Sequence, residues 1–449
     1  MRSLKRPAIR KSLERIATAG EVFADGTLIE LLRDDTHPAE LRLLISDGKN
    51  ITIARRVRRD GRFYVPADLD AALLRMVCLP GRAAPYGSVP ELFNEIARVF
   101  IRLCDLPEEF AELATAFVFS TWFADCVSTS PRLCVVGHGE SGIAQFLRVL
   151  GSLTRHGMLI SDAQPSKLID AVRLIHPTLV LYPQVLGSGL RRLLHATRHR
   201  GFGTIGKESS TSVMCAVAVY GGAEIPDGSY GEFVQIPIAP TPKATPLWNV
   251  ENNVVVATLQ SKLLTYRLEH RARFSKPNQT STEPLGSFGE SAYVLASFID
   301  DPELQKRILG HLRRRHQVAL VDRAWGVESL ILEALLFVCH EQNRGSVHVG
   351  EVTNVVNSIL SFRGESLTYR ARKIGAGLTK LGVVRERDRN GYGFYLSNET
   401  RRRIHDLAGA YDVPSSMQGL PGCDYCHTKK KSDVGVDKHQ LPKHSSSVT

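Results

Sequence analysis

Between residues 27 and 65, short apolar or β-branched runs (27–32, 41–45, 51–57 and 62–65) alternate with the pairs Asp25-Gly26, Asp47-Gly48 and Asp60-Gly61. Runs of this kind bounded by Asp-Gly are strands joined by tight turns, so residues 1–80 are expected to form a small β-rich domain. Helical spacing follows over 89–102 and 107–127. The rhythm then changes to strands at 132–136, 158–160, 178–182, 202–205 and 213–220, separated by helical patterns at 141–155, 165–175 and 190–200. Short apolar strands alternating with helices predict a parallel sheet covered on both faces. The fold class expected is therefore α/β, with the sheet domain over 88–245. Helical patterns at 254–274 and 287–315 flank a polar stretch and predict a helical connector over 246–320.

The pattern from 325 to 413 predicts a separate unit. Helical spacing at 325–340 stops at Arg344-Gly345, the strand Val347-His348-Val349 follows, and a second helix covers 350–360. Thr368 is placed to cap a third helix over 369–381, with Ile374, Leu378 and Leu381 on one side. Arg370, Arg372, Lys373 and Lys380 lie on the other side. Two extended runs, 383–387 and 392–396, are joined by Asp388-Arg389-Asn390-Gly391, a hairpin turn that carries Arg387 and Arg389. Helix, strand, helix, basic helix and basic hairpin is the winged helix-turn-helix order, whose third helix enters the major groove. Between Arg363 and His405 there are eleven Lys or Arg against four Asp or Glu. The expected partner is double-stranded DNA, read through Arg370, Arg372, Lys373, Lys380, Arg387 and Arg389.

Charge widens that picture little. A net charge of +11 over 449 residues favours a polyanionic partner without fixing a fold. Cysteines 78, 104, 126, 134, 215 and 339 stand singly in apolar segments, as buried thiols do rather than a disulfide framework. With no secretory signal and no apolar run long enough to span a bilayer, the expectation is a cytoplasmic protein without a membrane partner. No nucleophile–base constellation for a hydrolase stands out.

One segment invites a chemical reading. The strand Leu133-Cys134-Val135-Val136 leads into Gly137-His138-Gly139-Glu140-Ser141-Gly142 and a helix, the layout of a phosphate-binding loop. Gly137 and Gly142 have the spacing of G-x-x-x-x-G-K-[ST], but Ile143 and Ala144 stand where lysine and hydroxyl belong. The apolar strand at 178–182 ends in Tyr182-Pro183, where an ATPase needs carboxylates for the metal and the attacking water. A tight turn before a helix explains Gly137–Gly142 equally simply.

From about residue 113 to 240 the chain resembles the ATPase core of helicase-like proteins carried by bacterial mobile elements. The resemblance rests on the glycine loop, the strand at 178–182, and a basic segment from Leu193 through Arg198 and Arg200 to Gly201. It rests also on the strand at 213–220 with the following Ile225-Pro226-Asp227. It implies a P-loop-type sheet and a replication or mobile-element setting. Because lysine, hydroxyl and carboxylates are missing together, the expected core is a pseudo-ATPase. It has no catalytic residues, no cofactor and no ATP binding, and Gly137, Gly139, Gly142, Ile143, Ala144 and Tyr182 mark a degenerate nucleotide loop. An active helicase-type ATPase and a scaffold that never touches DNA are the alternatives. Homo-oligomerisation or association with a replication protein stays open.

The last segment, 414–449, is rich in Ser, Lys and His and is expected to be a disordered tail. Cys423, Cys426, His439 and His444 nevertheless have the spacing of a two-cysteine, two-histidine zinc site. Lys430 stands where such a finger wants an aromatic, and Pro442 interrupts the helix between the histidines.

Overall fold

The computed structural model describes residues 14–137, 140–162, 164–183, 187–201, 203–205, 210–221, 233–239, 248–274, 286–324, 326–340, 345–383, 385–389, 391–411 and 413. The chain divides into two compact units, Met1–Arg314 and Arg315–Thr449.

In the first unit the strand-rich start contains β1 (Glu14–Thr18), β2 (Gly20–Val22), β3 (Leu28–Arg33), β4 (Leu41–Ser46), β5 (Ile51–Ala54), β6 (Val57–Arg59) and β7 (Arg62–Pro66). Strands β2 to β5 form an antiparallel meander, while β7 pairs in parallel with β1 and antiparallel with β6. The run read as one strand over 51–57 is thus two strands in two sheets. The short helix α1 (Ala71–Met76) is capped by Asp70, whose carboxylate accepts the Leu73 N–H. Helix α2 (Val89–Cys104) begins on a capping box between Ser88 and Glu91, with Pro90 in its first turn. Helix α3 (Glu108–Thr121) is buried on every side from Ala111 onward, which is why its sequence lacks a clean polar face.

The α/β layer follows: β8 (Arg132–Gly137), α4 (Glu140–Leu153), β9 (Met158–Ile160), α5 (Pro165–Ile175), β10 (Leu179–Leu181), α6 (Ser188–Ala196), β11 (Gly203–Ile205), β12 (Ser210–Ser212), β13 (Val217–Tyr220) and β14 (Val234–Ile238). Five of these strands form a parallel sheet in the order β14-β8-β13-β10-β9. The segment expected to add a strand at 202–205 instead pairs antiparallel with β12, outside that sheet. Alternate side chains of the sheet enter two cores. Leu133, Val135, Val180 and Ala218 face one, and Cys134, Leu179, Leu181, Val217 and Val219 face the other.

The remaining helices of this unit are α7 (Val250–Phe274), α8 (Gly286–Ala296) and α9 (Pro302–Ala324), the last running on past residue 314. The single pattern over 287–315 is two helices because Asp300-Asp301-Pro302 starts α9 afresh, with Asp301 accepting the Leu304 N–H. Neither the β-rich start nor the helical connector stands apart as a domain. Ile29, Leu31 and Leu43 join the second core, while Leu259, Leu263, Leu264, Ile308 and Leu312 join the first with α2 to α4. A buried ion network ties them together. Glu30 of β3 accepts from Arg155, in the turn after α4, at 2.9 Å and from Arg267 of α7 at 2.6 Å. Arg267 also meets Asp125 at 2.8 Å, and Arg271 meets the same carboxylate at 2.9 Å.

The second unit contains α10 (Val327–His340), β15 (Ser346–His348), α11 (Val349–Phe362), α12 (Ala371–Lys380), β16 (Glu386–Asp388), β17 (Gly391–Tyr395) and α13 (Asn398–Ala410). Its small antiparallel sheet has the order β15-β17-β16. Leu335, Val352, Val356, Ile374, Leu378, Phe394 and Ile404 share one core. Ser397 caps α13 by accepting the Thr400 N–H. Among the described residues no helix is long and apolar enough to cross a membrane, and no three His, Cys, Asp or Glu gather as a metal site. None of the six described cysteines is in a disulfide, and Cys78 and Cys126 are only partly buried.

Candidate functional site

Two places in the fold carry the residues singled out from the sequence, one in each unit. The first lies at the carboxyl ends of the parallel strands. Strand order runs from β8 to the far edge at β9, returns through β10 and β13, and finishes on the other side of β8 at β14. In open parallel sheets such a reversal leaves a crevice beside the carboxyl end of the first strand. Gly137 closes β8 there with φ +143, and a Cβ on it would run into the carbonyl of Ile238 on β14. No other residue fits, so the glycine is required by the backbone whether or not a ligand comes near.

Beyond Gly137 the geometry departs from a phosphate cradle. Helix α4 already starts at Glu140, and both His138 and Gly139 lie outside the described residues. Gly142 therefore sits in the first turn of the helix, where an added Cβ would reach no more than ordinary contact with the Ile238 side chain. Ile143 is fully buried in the core with Phe146 and Leu147, and Ala144 is exposed. A lysine at 143 would point into hydrocarbon rather than toward a phosphate. Tyr182, after β10, packs its ring 5.2 Å from that of Tyr220 at the end of β13. The Tyr220 hydroxyl donates to the Gly137 carbonyl at 3.1 Å. The strand ends thus present two tyrosines, an isoleucine and a glycine. The loop containing Ile225-Pro226-Asp227 lies outside the described residues, as do Cys423, Cys426, His439 and His444.

The second place is the basic face of the second unit. Helix α12 buries Ile374 and Leu378 and exposes Arg372 and Lys373, with Arg370 exposed at its N-cap. Thr368 is not the cap. The helix begins two residues later than its side chain could serve, and the turn is held instead by Asn357 of α11. The Asn357 amide accepts the Tyr369 N–H at 2.8 Å and donates to the Tyr369 carbonyl at 3.0 Å. Gly377 lets α12 approach α10 closely, since a Cβ there would meet the Ile331 side chain. The helix ends in a left-handed Gly382 (φ +70), with the Val383 N–H returning to the Leu378 carbonyl at 2.9 Å.

Not every cation of this region serves the same face. Lys380 pairs with Glu328 of α10 at 3.2 Å, and Arg363 with Glu333 at 2.7 Å. Arg401 donates to the Cys339 carbonyl inside the fold. Arg370, Arg372, Lys373, Arg387 and Arg389 all stay exposed. Across the hairpin Arg387 stands directly opposite Tyr392. The guanidiniums of Arg385 and Arg387 lie 5.6 and 6.0 Å from the Tyr392 ring centre. The sequence pattern alone did not single out Tyr392 or Arg385. The signal was present, because a turn at Asp388-Arg389-Asn390-Gly391 fixes the cross-strand register and places 387 against 392.

No family model matches the chain, and no curated protein matches it. Among solved structures, a full-length MCM homolog from Methanopyrus kandleri is similar over 66% of this chain and 78% of that chain, at 10% identity and a TM-score of 0.31. A likeness of that size bears on neither the activity nor the partners of this chain.

Proposed function

We propose that this chain is a DNA-binding accessory or regulatory protein, built from a P-loop-like α/β core that does not turn over ATP and a winged helix over 325–413. The observation that carries the reading is the exposed cation set Arg370, Arg372, Lys373, Arg387 and Arg389, mounted on one helix and the adjoining hairpin. A helix opposing its cations to a buried Ile374–Leu378 stripe offers a groove-sized cylinder with charge on its outer side. The element order helix, strand, helix, basic helix, hairpin supports the winged-helix assignment. For the core, the reversal of strand order beside Gly137 supports a P-loop-like layout. The buried Ile143, the exposed Ala144 and the Tyr182–Tyr220 pair argue against phosphoryl transfer, which needs charge where charge develops. A replication or mobile-element setting follows only from the resemblance of the 113–240 segment.

The test is equilibrium binding of full-length protein to a fluorescent duplex across a salt series. Affinity should fall steeply with salt through counterion release. Replacing Arg370, Arg372 and Lys373 together with Ala should weaken binding by about tenfold or more without lowering the melting temperature. Absence of binding at low salt would remove the reading. A scaffold role is the second reading, favoured by Phe362, which is 95% exposed, and the half-exposed Leu367 in the α11–α12 turn. If that pair mates with another protein surface, Phe362→Ala will change the assembly state seen by light scattering and leave DNA binding intact.

A further inference from the structure

The hairpin of the second unit presents an aromatic ring among cations, and a wing that touched only phosphates would not need one. Tyr392 is 52% exposed even with two guanidiniums over it. Its immediate chain neighbours are Gly391 and Gly393, neither of which carries a side chain. Two contacts fix its place. The cross-strand register sets Arg387 opposite it, and Arg385 donates to the Thr379 hydroxyl of α12 at 2.7 Å. The ring is therefore tied to the basic helix rather than carried on a loose tip.

An exposed aromatic face bordered by cations is what an unpaired nucleobase seeks. The base stacks on the ring, and its flanking phosphates meet the guanidiniums. A paired base inside a duplex offers no such face. We propose that Tyr392 is a stacking platform for the first unpaired base beside a duplex, with Arg385 and Arg387 on the adjoining phosphates. The preferred DNA is then a duplex with a single-stranded flank. This rests on the DNA-binding reading above and adds strandedness to it.

The experiment uses the full chain with two fluorescent DNAs of equal phosphate number, one blunt and one forked, the fork carrying 2-aminopurine at its first unpaired position. The wild type should prefer the fork by about tenfold, a single stacked base being enough for that, and should change the 2-aminopurine emission. Tyr392→Ala should abolish the preference and the emission change while holding blunt-duplex affinity within about twofold. Tyr392→Phe, which keeps the ring and the hairpin, should retain both. Equal binding of fork and blunt DNA by the wild type overturns the proposal, as does equal weakening of both DNAs by Tyr392→Ala. Loss of the preference in Tyr392→Phe also overturns it, since that result would assign the effect to the hydroxyl. A wild type that binds neither DNA is a different failure, because it removes the DNA-binding reading itself.

Discussion

Glu30 is 2% exposed and holds two arginines, Arg155 and Arg267, which come from segments far apart in the chain. Burial alone would push its carboxyl up, but Arg155 and Arg267 beside it hold it below its ordinary value of 4.5. Removing the carboxylate leaves both guanidiniums buried with one partner fewer, so Glu30→Ala should cost about 3–5 kcal/mol in urea unfolding. His156 lies against the same network and is pushed down to about 3 by burial and by Arg155. Its native state stays neutral where the unfolded chain takes up a proton, so its contribution is complete above the ordinary 6.5 and is lost as pH falls toward 3. His176, also lowered by burial, adds to the same slope. Glu30 and Asp125, both held low, act in the same direction, but only below their ordinary 4.5 and 3.8. The unfolding free energy from urea titrations should therefore drop between pH 6.5 and 4.5, by up to about 1.4 kcal/mol per pH unit for each histidine. His156→Asn should flatten that slope, since Asn tolerates the left-handed φ of 50 at this position.

At the level of elements, helix α12 shows how little of a surface its own sequence settles. The apolar spacing of Ile374, Leu378 and Leu381 was enough to place a helix and its outward cations. The helix starts later than its sequence predicts because the Asn357 amide of the preceding helix α11, not Thr368, satisfies the turn. Lys380 was grouped with the outward cations because it lies on the same stretch of sequence, but its ammonium reaches Glu328 on α10. The prediction at this scale separates the two kinds of cation. Each of Arg370, Arg372 and Lys373 that contacts phosphate should reduce the slope of log affinity against log salt by about 0.9 when replaced with Ala. Lys380→Ala should leave that slope unchanged. Gly377→Leu should fail earlier, at folding, because it forces α12 away from Ile331.

For the whole molecule, the decisive test of the core is Mg²⁺-dependent ATP hydrolysis, expected to stay at background with or without DNA. Ile143→Lys should not restore it and should instead lower stability by several kcal/mol (about 3–5), since it places an unpaired charge among Phe146 and Leu147. Hydrolysis at a helicase-like rate, lost on changing Gly142, would show that nucleotide enters by a route the strand ends do not suggest. Alternation and helical spacing by themselves determined the mixed α/β class and most strands of the parallel sheet. Those features are local: each depends on which face of a strand or helix is apolar. What the tertiary structure decided was grouping. The β-rich start and the helices after 246 look self-contained in sequence because their short-range patterns are complete. They share the cores and ion network of the central sheet because Glu30, Arg155 and Arg267 compensate one another only in space. The same holds for Gly137 and Ile143. The spacing of two glycines is a local fact, but whether a loop or a helix turn lies between them depends on where β14 packs against β8.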